Sequence, residues 1–355
     1  MGENPGGHHR LFIGTYTKGT SRGIYSVTLD RATGALGEPE LSAEAPNPTF
    51  VALSPERNFL YAVCAGPGWL SSFRVEPGSP GLVPVQLSAA DAGPTPCHVA
   101  VDGTGRIALA ANYHLGQAAA IPLNPDGTFG IPRVVSHSGH GPRPTVQAKP
   151  HVHSTNIARD NRFALVCDLG LDRIYTYAID RESVALVPGA PPFAASAPGA
   201  GPRHLVFSRD GGRAYAINEL DSTVAAYRYD PATGGLTHLQ TVSVVPTGYS
   251  GESAAAEVCI HPNGRFLYGS CRGPDVLAVF RIEEASGLLE PVESVPCGGK
   301  GPRNFSMSPG GDWLVCAHQV SGTLCSFRVD GGSGRLERIP GAVSVSMPVC
   351  ALFAT

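Results

Sequence analysis

Two segments, GPRHLVFSRDGGRAYAINELDSTVAAYRYD (201–230) and GPRNFSMSPGGDWLVCAHQVSGTLCSFRVD (301–330), share one plan but carry different chemistry. The first sets Arg203, His204 and Glu219 at the ends of apolar runs; the second has Arg303 and Asn304, and no carboxylate where Glu219 would fall. Guanidinium groups grip carboxylate or phosphate bidentately and stabilise a developing oxyanion. A histidine or glutamate tuned by its neighbours can take a proton from water. Arg203, Arg272 and Arg303 with His153 and Glu219 would supply both roles, giving acyl or related anion chemistry without a metal. His151-x-His153 has a spacing that zinc sites use, but no third ligand stands at a fixed distance from the pair, so no metal is expected.

The elements that must position these groups follow from an internal repeat, the feature to search for before any other. A turn, a polar residue and an apolar strand recur as PERNFLYAV, GTGRIALAA, RDNRFALVC, DGGRAYAIN, PNGRFLYGS and PGGDWLVCA. Asn58, Arg106, Arg162, Arg213, Arg265 and Asp312 open these strands, about fifty residues apart, and HRLFIGTYT adds a seventh copy from Arg10. Short strands precede most copies, as in TPCHVAVD and GPRHLVFS; the first copy lacks one, and the chain ends in a spare, MPVCALFAT. Each copy continues into a third alternating run and a turn such as ATGGL that leads to a fourth.

This pattern predicts an all-β fold, a seven-bladed β-propeller with four antiparallel strands per blade. The last blade is closed by the C-terminal strand pairing with the N-terminal strands, which removes exposed edges. One domain is expected over 10–355, after a flexible N-terminus at 1–9.

In such a ring the first strand of each blade lines the channel, and its start shares a face with the loop between the second and third strands. The strand starts supply His98, His151, His153, Arg203, His204, Glu257, Arg303 and Asn304, and the loops Asn112, Tyr113, His114, Asp168, Glu219 and Arg272. Thr49, Cys97, His153, Arg203, Ala256, Arg303 and Val349 fall in one register and Phe50, His98, Ser154, His204, Glu257, Asn304 and Cys350 in the next. Since strand side chains alternate, one register is expected to face the channel at a given height. Unequal occupation of equivalent positions suggests an asymmetric ligand. The competing reading of Arg203, Glu219 and Arg272 is a structural salt-bridge network, and Asn218-Glu219 could simply cap a turn.

Gly 44 and Pro 32 make about a fifth of the chain turn formers, as many short strands require. A net charge of −3 and the absence of any basic run argue against nucleic acid or an anionic membrane as partner. The nine cysteines form no C-x-x-C pair, and MGENPGGHHRLFIGTYT has no apolar signal core, so a cytoplasmic protein with reduced core thiols is expected. Residues 136–150, a Gly- and Pro-rich insertion with His137, His140, Arg143 and Lys149, read as a lid over the channel or a tolerated insertion.

TPCHVAVD, ANYHLG, KPHVHS, DLGLDRIYTY, GPRHLVF, INELDSTVAAYRYDPATGGL, SGESAAAEV and GPRNFSMSP together give a chain that resembles the seven-bladed lactonase family over nearly its whole length. Members of that family include propeller-type 6-phosphogluconolactonases and carboxy-cis,cis-muconate cyclising enzymes. The resemblance implies a cofactor-independent enzyme acting on a small anionic lactone, as a monomer or weak homo-oligomer. Matched by motif, His153, Arg203, Glu219 and Arg272 are the implied catalytic residues, with Arg203 and Arg272 on the anionic substituent and oxyanion, and His153 or Glu219 activating water. His98, His151, Asn112, His114, Asp168, Glu257 and Arg303 are the expected substrate-binding residues. Hydrolysis of a sugar-acid lactone, most simply 6-phosphoglucono-1,5-lactone, stands beside muconate cyclisation, and both stand beside a non-catalytic protein-binding platform.

Overall fold

The computed structural model describes residues 7–64, 70–87 and 96–354. All regular structure there is β, in seven antiparallel sheets. Six sheets follow chain order, with inner strands at Phe50–Leu53, His98–Val101, Val152–Ile157, Pro202–Phe207, Ala254–Ile260 and Pro302–Met307; we number these blades 1 to 6. Blade 7 takes its inner strand, Pro348–Phe353, from the end of the chain and adds His8–Thr15, Gly23–Asp30 and Glu40–Glu44. Leu11 is paired with Phe353 and Gly14 with Cys350, so the expected closure by the two ends is present. Neighbouring inner strands touch all the way round, including those of blades 7 and 1.

Alternation in the strands dictates how the blades stack. Each middle strand buries both faces, and seven separate apolar clusters fill the seven spaces between blades. Phe12, Ile24, Val51, Leu60 and Phe73 join blade 7 to blade 1, for example, and Leu11, Val27, Trp313 and Val315 join blade 6 to blade 7. Wedge-shaped burial of this kind is non-directional, and the ring owes its registry to the strand ladders.

Two boundaries differ from the sequence reading. The first strand begins at His8, not Arg10, with His8 facing Asp30 across the ladder and its Nδ1 3.7 Å from that carboxylate. Residues 1–6 of the expected flexible terminus lie outside the described residues. In blade 4 the repeat is offset by one. The tight turn into the second strand requires a left-handed residue, supplied by Gly105, Gly211, Gly264 and Gly311, where a Cβ would be strained. Gly211 therefore aligns Gly212, not Arg213, with Arg106 and Arg265. Arg213 occupies the position of Phe266 and Trp313, as its pairing with Arg228 confirms.

Removing residues 348–355 should leave the His8–Thr15 strand with a bare edge. We expect loss of a single cooperative transition in a circular-dichroism melt and self-association by size-exclusion chromatography; a monomer with unchanged melting would contradict this account of closure.

Candidate active site

Five inner strands carry one extra residue near the start, where two residues oppose one on the partner strand. The extra residues are His153 between Val152 and Ser154, Arg203 between Pro202 and His204, Arg303 between Pro302 and Asn304, and Val349 ahead of Cys350, with a similar shift between Ala255 and Val258. A bulge re-aims a side chain. Here it turns consecutive residues into the channel at different heights, so both registers contribute, where simple alternation predicted one.

The second register forms a plug. Phe50 stacks on His98 with ring centroids 4.3 Å apart, and His98 meets His204 at 5.3 Å. His204 Nδ1 lies 3.0 Å from Glu257 Oε1; Val258 N–H donates to the same carboxylate at 3.0 Å, and Asn304 Nδ2 donates to its other oxygen. Asn304 Oδ1 in turn accepts the Ala351 N–H at 2.7 Å. Burial pushes the Glu257 carboxyl up, but His204, Arg203 and the Val258 amide outweigh it and hold it below its ordinary range. Burial, together with Arg203, holds His204 below its usual value despite that carboxylate, so a neutral imidazole donating to an ionised Glu257 fits both directions. Glu257 is therefore a support for the plug. His98, held neutral mainly by burial, is likewise a plug residue and borders a second space of about 610 Å³ on the far side.

Above the plug, the first register and Tyr16 enclose a recess lined by Thr49, Cys97, His153, Arg203, Arg303 and Val349. It offers about 30 Å³, enough for about two waters, so a ring-sized ligand would sit over it toward the mouth. At its edge Glu219 is clamped: Arg203 Nε donates to Oε2 at 2.9 Å and Arg272 reaches Oε1 at 3.2 Å. Arg272 is itself anchored on the carbonyls of Ala254 and Ala255, and Arg203 donates to the Ala256 carbonyl. Burial raises the Glu219 pKa, yet Arg272, Arg203 and Arg303 together keep it below the ordinary glutamate value. Arg203, fully enclosed, is lowered to about 10 by burial and by Arg303 and stays charged at neutral pH.

His153 completes the group. Its Nε2 is 3.9 Å from Glu219 Oε2, and its ring meets His204 at 5.2 Å and the Tyr113 ring edge-on at 5.6 Å. Burial first, then Arg203, holds its pKa well below the usual histidine value, so the imidazole is neutral at neutral pH. Its Nδ1 is buried with no partner among the described residues, and no neighbour there fixes the tautomer. The four residues matched by motif are thus contiguous, but with Arg203 and Arg272 both committed to Glu219.

Four expected ligand residues stand elsewhere. Asp168 is buried: Oδ2 pairs with His137 Nδ1 at 2.6 Å, while Oδ1 accepts the amides of His151, Gly170 and Leu171. It caps a turn, as Asx side chains do. Asn112 is buried and accepts the Leu115 amide at 3.1 Å. His114 is exposed, its carbonyl taking Lys149 Nζ at 2.8 Å. His151 stacks on Tyr113 at 4.2 Å and bonds that residue's carbonyl, away from the recess. The bulge at His153 separates the two imidazoles of HVH, and among the described residues no three His, Cys, Asp or Glu side chains are grouped to hold a metal ion.

The 136–150 insertion is pinned. His137 bonds Asp168 and Tyr177 and stacks on Tyr175 at 3.8 Å, and Gln147 bonds the Leu169 carbonyl and Asp172. These contacts dock it on blade 3, which argues against a lid. Tyr16, Thr49 and Cys97 were not among the expected site residues. Tyr16 was detectable, because it follows Thr15 as Tyr113 follows Asn112 and Glu219 follows Asn218.

A family model described as "Lactonase, 7-bladed beta-propeller" matches residues 10–353. The chain belongs to the seven-bladed β-propeller lactonases. Within that family it is 37% identical over 345 residues to a protein of Bacillus subtilis (strain 168) named 6-phosphogluconolactonase, covering 96% of this chain and 97% of that one. A 6-phosphogluconolactonase of Formosa agariphila is 29% identical over 95% of this chain and 97% of its own. Among solved structures, the periplasmic gluconolactonase of Pseudomonas aeruginosa superposes with a TM-score of 0.91 at 32% identity, covering 98% of this chain and 99% of that one.

Removing one member of a buried charge cluster strands the others. Arg203→Met should destabilise the protein by about 3–5 kcal/mol in urea unfolding. Arg272→Met, at a side chain that is 20% exposed, should cost less because water can solvate what remains; equal losses would contradict the difference in burial.

Proposed function

We propose that this lactonase-family protein hydrolyses 6-phosphoglucono-1,5-lactone to the open-chain acid. The observation that carries the reading is a neutral, buried His153 beside a carboxylate clamped by two guanidinium groups, at the edge of a recess that accommodates water. The names of the Bacillus and Formosa relatives favour hydrolysis over cyclisation, and a catalytic role over a binding platform.

The division of labour follows from the charges. Arg272, Arg203 and Arg303 draw the Glu219 pKa down, and guanidinium groups occupy both of its oxygens, so it is poorly placed to take a proton. His153, neutral and lining the recess, takes the role: Nε2 accepts a proton as water adds to the lactone carbonyl, and the imidazolium that forms is stabilised by Glu219 at 3.9 Å. Arg203, lining the recess, balances the charge on the tetrahedral oxyanion. The ring C–O bond then breaks, and the imidazolium returns its proton to the departing alkoxide. Glu219 and Arg272 orient Arg203 and His153. No cofactor enters this scheme.

We further take residues 10–355 as one domain, acting as a monomer or weak homo-oligomer in the cytoplasm and supplying the lactone-opening step of the pentose phosphate pathway. Nine free cysteines, none in a disulfide, agree with a reducing compartment, and among the described residues no helix is long and apolar enough to cross a membrane.

His153→Ala should lower kcat by about 10²–10⁴ after correction for spontaneous hydrolysis, while Glu219→Gln lowers it less; unchanged rates in both would remove this assignment. Because the active imidazole is the neutral form and its pKa is depressed, kcat/KM should stay level from neutral pH down and fall only below about 6.5. An acid limb centred above that value would point to another base.

A further inference from the structure

The charges around the recess do not balance. Arg203, Arg272 and Arg303 face Glu219 and Glu257, and His98, His153 and His204 all have pKa values held below the histidine norm, so one positive charge is in excess. Arg203 and Arg272 are each bound to Glu219. Arg303 lines the recess but has no ion pair or hydrogen bond among the described residues. It is only partly buried, so its guanidinium can meet a ligand without being stripped of all water. It reaches this place because it is the extra residue of the blade 6 bulge.

Position adds direction. His153 stands on blade 3 and Arg303 on blade 6, three blades apart in a ring of seven, the largest separation the ring allows. Tyr16, on adjoining blade 7, lines the recess on the Arg303 side, and Lys18 Nζ lies 5.6 Å over its ring, adding a second cation near that rim. In a hexose-derived 1,5-lactone the carbonyl carbon and the carbon bearing C6 flank the ring oxygen, and a phosphate ester on C6 extends away from the ring beyond the carbonyl. With the carbonyl at His153, a phosphate on this extended arm has the reach to meet Arg303, which lines the same recess.

From this we infer that Arg303 is the specificity-determining residue for a phosphorylated substrate: its guanidinium holds the terminal phosphate across the channel from His153, and its loss converts the enzyme into one that no longer prefers phosphorylated lactones. This assignment rests on the lactonase reading.

The test compares 6-phosphoglucono-1,5-lactone with glucono-1,5-lactone, each corrected for spontaneous opening, in the wild type, Arg303→Gln and Arg303→Lys. Arg303→Gln should lose about 30-fold or more in kcat/KM on the phosphorylated lactone, mainly through KM, and should cut the ratio of kcat/KM for the phosphorylated over the unphosphorylated lactone by about tenfold or more. Arg303→Lys should recover part of the loss, since an ammonium keeps the charge without the bidentate fork. Equal losses on both lactones, or none on either, overturn the assignment. Calorimetric binding of 6-phosphogluconate and gluconate is read alongside. Should the wild type open neither lactone, the lactonase reading fails, yet the subsite stands if 6-phosphogluconate binds more tightly than gluconate and Arg303→Gln abolishes the difference. No such difference in the wild type overturns it.

Discussion

Pairing of the last strand with the first is the constraint on which the rest depends. Pro348–Phe353 lies antiparallel to His8–Thr15 and completes a ring in which every blade is wedged between two others. Closed in this way the His8–Thr15 strand has no bare edge, and the inner strands cannot slide independently because each is packed on both sides. That fixes the height of every residue along the channel. Side chains from seven strands remote in sequence then converge within a few ångströms without a helix or a long loop to position them.

Bulges exploit this fixed frame. By adding one residue near the start of an inner strand, the chain presents two consecutive side chains to the channel, one in the recess and one in the plug beneath. Arg203 and His204 illustrate the gain. The first reaches Glu219, while the second is held by Glu257, and the two layers are tied because Arg203 also lies within 3.4 Å of the His204 ring nitrogens. Burial of this many ionisable groups is tolerated because Glu219, Glu257, Arg203 and Arg272 are paired or hydrogen-bonded, because the imidazoles are neutral, and because the unpaired Arg303 is only partly buried. Their depressed pKa values are the electrostatic consequence of placing histidines beside arginines in a low-dielectric channel.

Much of this was readable from the chain. The seven-fold repeat gave blade number and closure, and the motifs HVHS, GPRH and NEL pointed to His153, Arg203 and Glu219, which do meet. Asp168 and Asn112 were misjudged for an understandable reason: acidic and amide side chains at strand ends serve equally well as ligands and as turn caps, and only their hydrogen bonds distinguish the two. His151 was misjudged because period-two alternation puts it beside His153, and the bulge that parts them has no mark in HVHS. The insertion at 136–150 read by composition as a lid or a tolerated insertion, whereas His137 and Gln147 lock it to blade 3.

The sequence by itself determined the architecture, since hydrophobic alternation and turn chemistry are local and repeat seven times, and it determined which polar residues break that repeat. Tertiary structure decided how those residues divide their work. Whether an arginine is spent on a carboxylate or left for a ligand depends on distances between blades, and only the closed ring sets Arg203 and Arg272 on Glu219 while leaving Arg303 across the channel from His153.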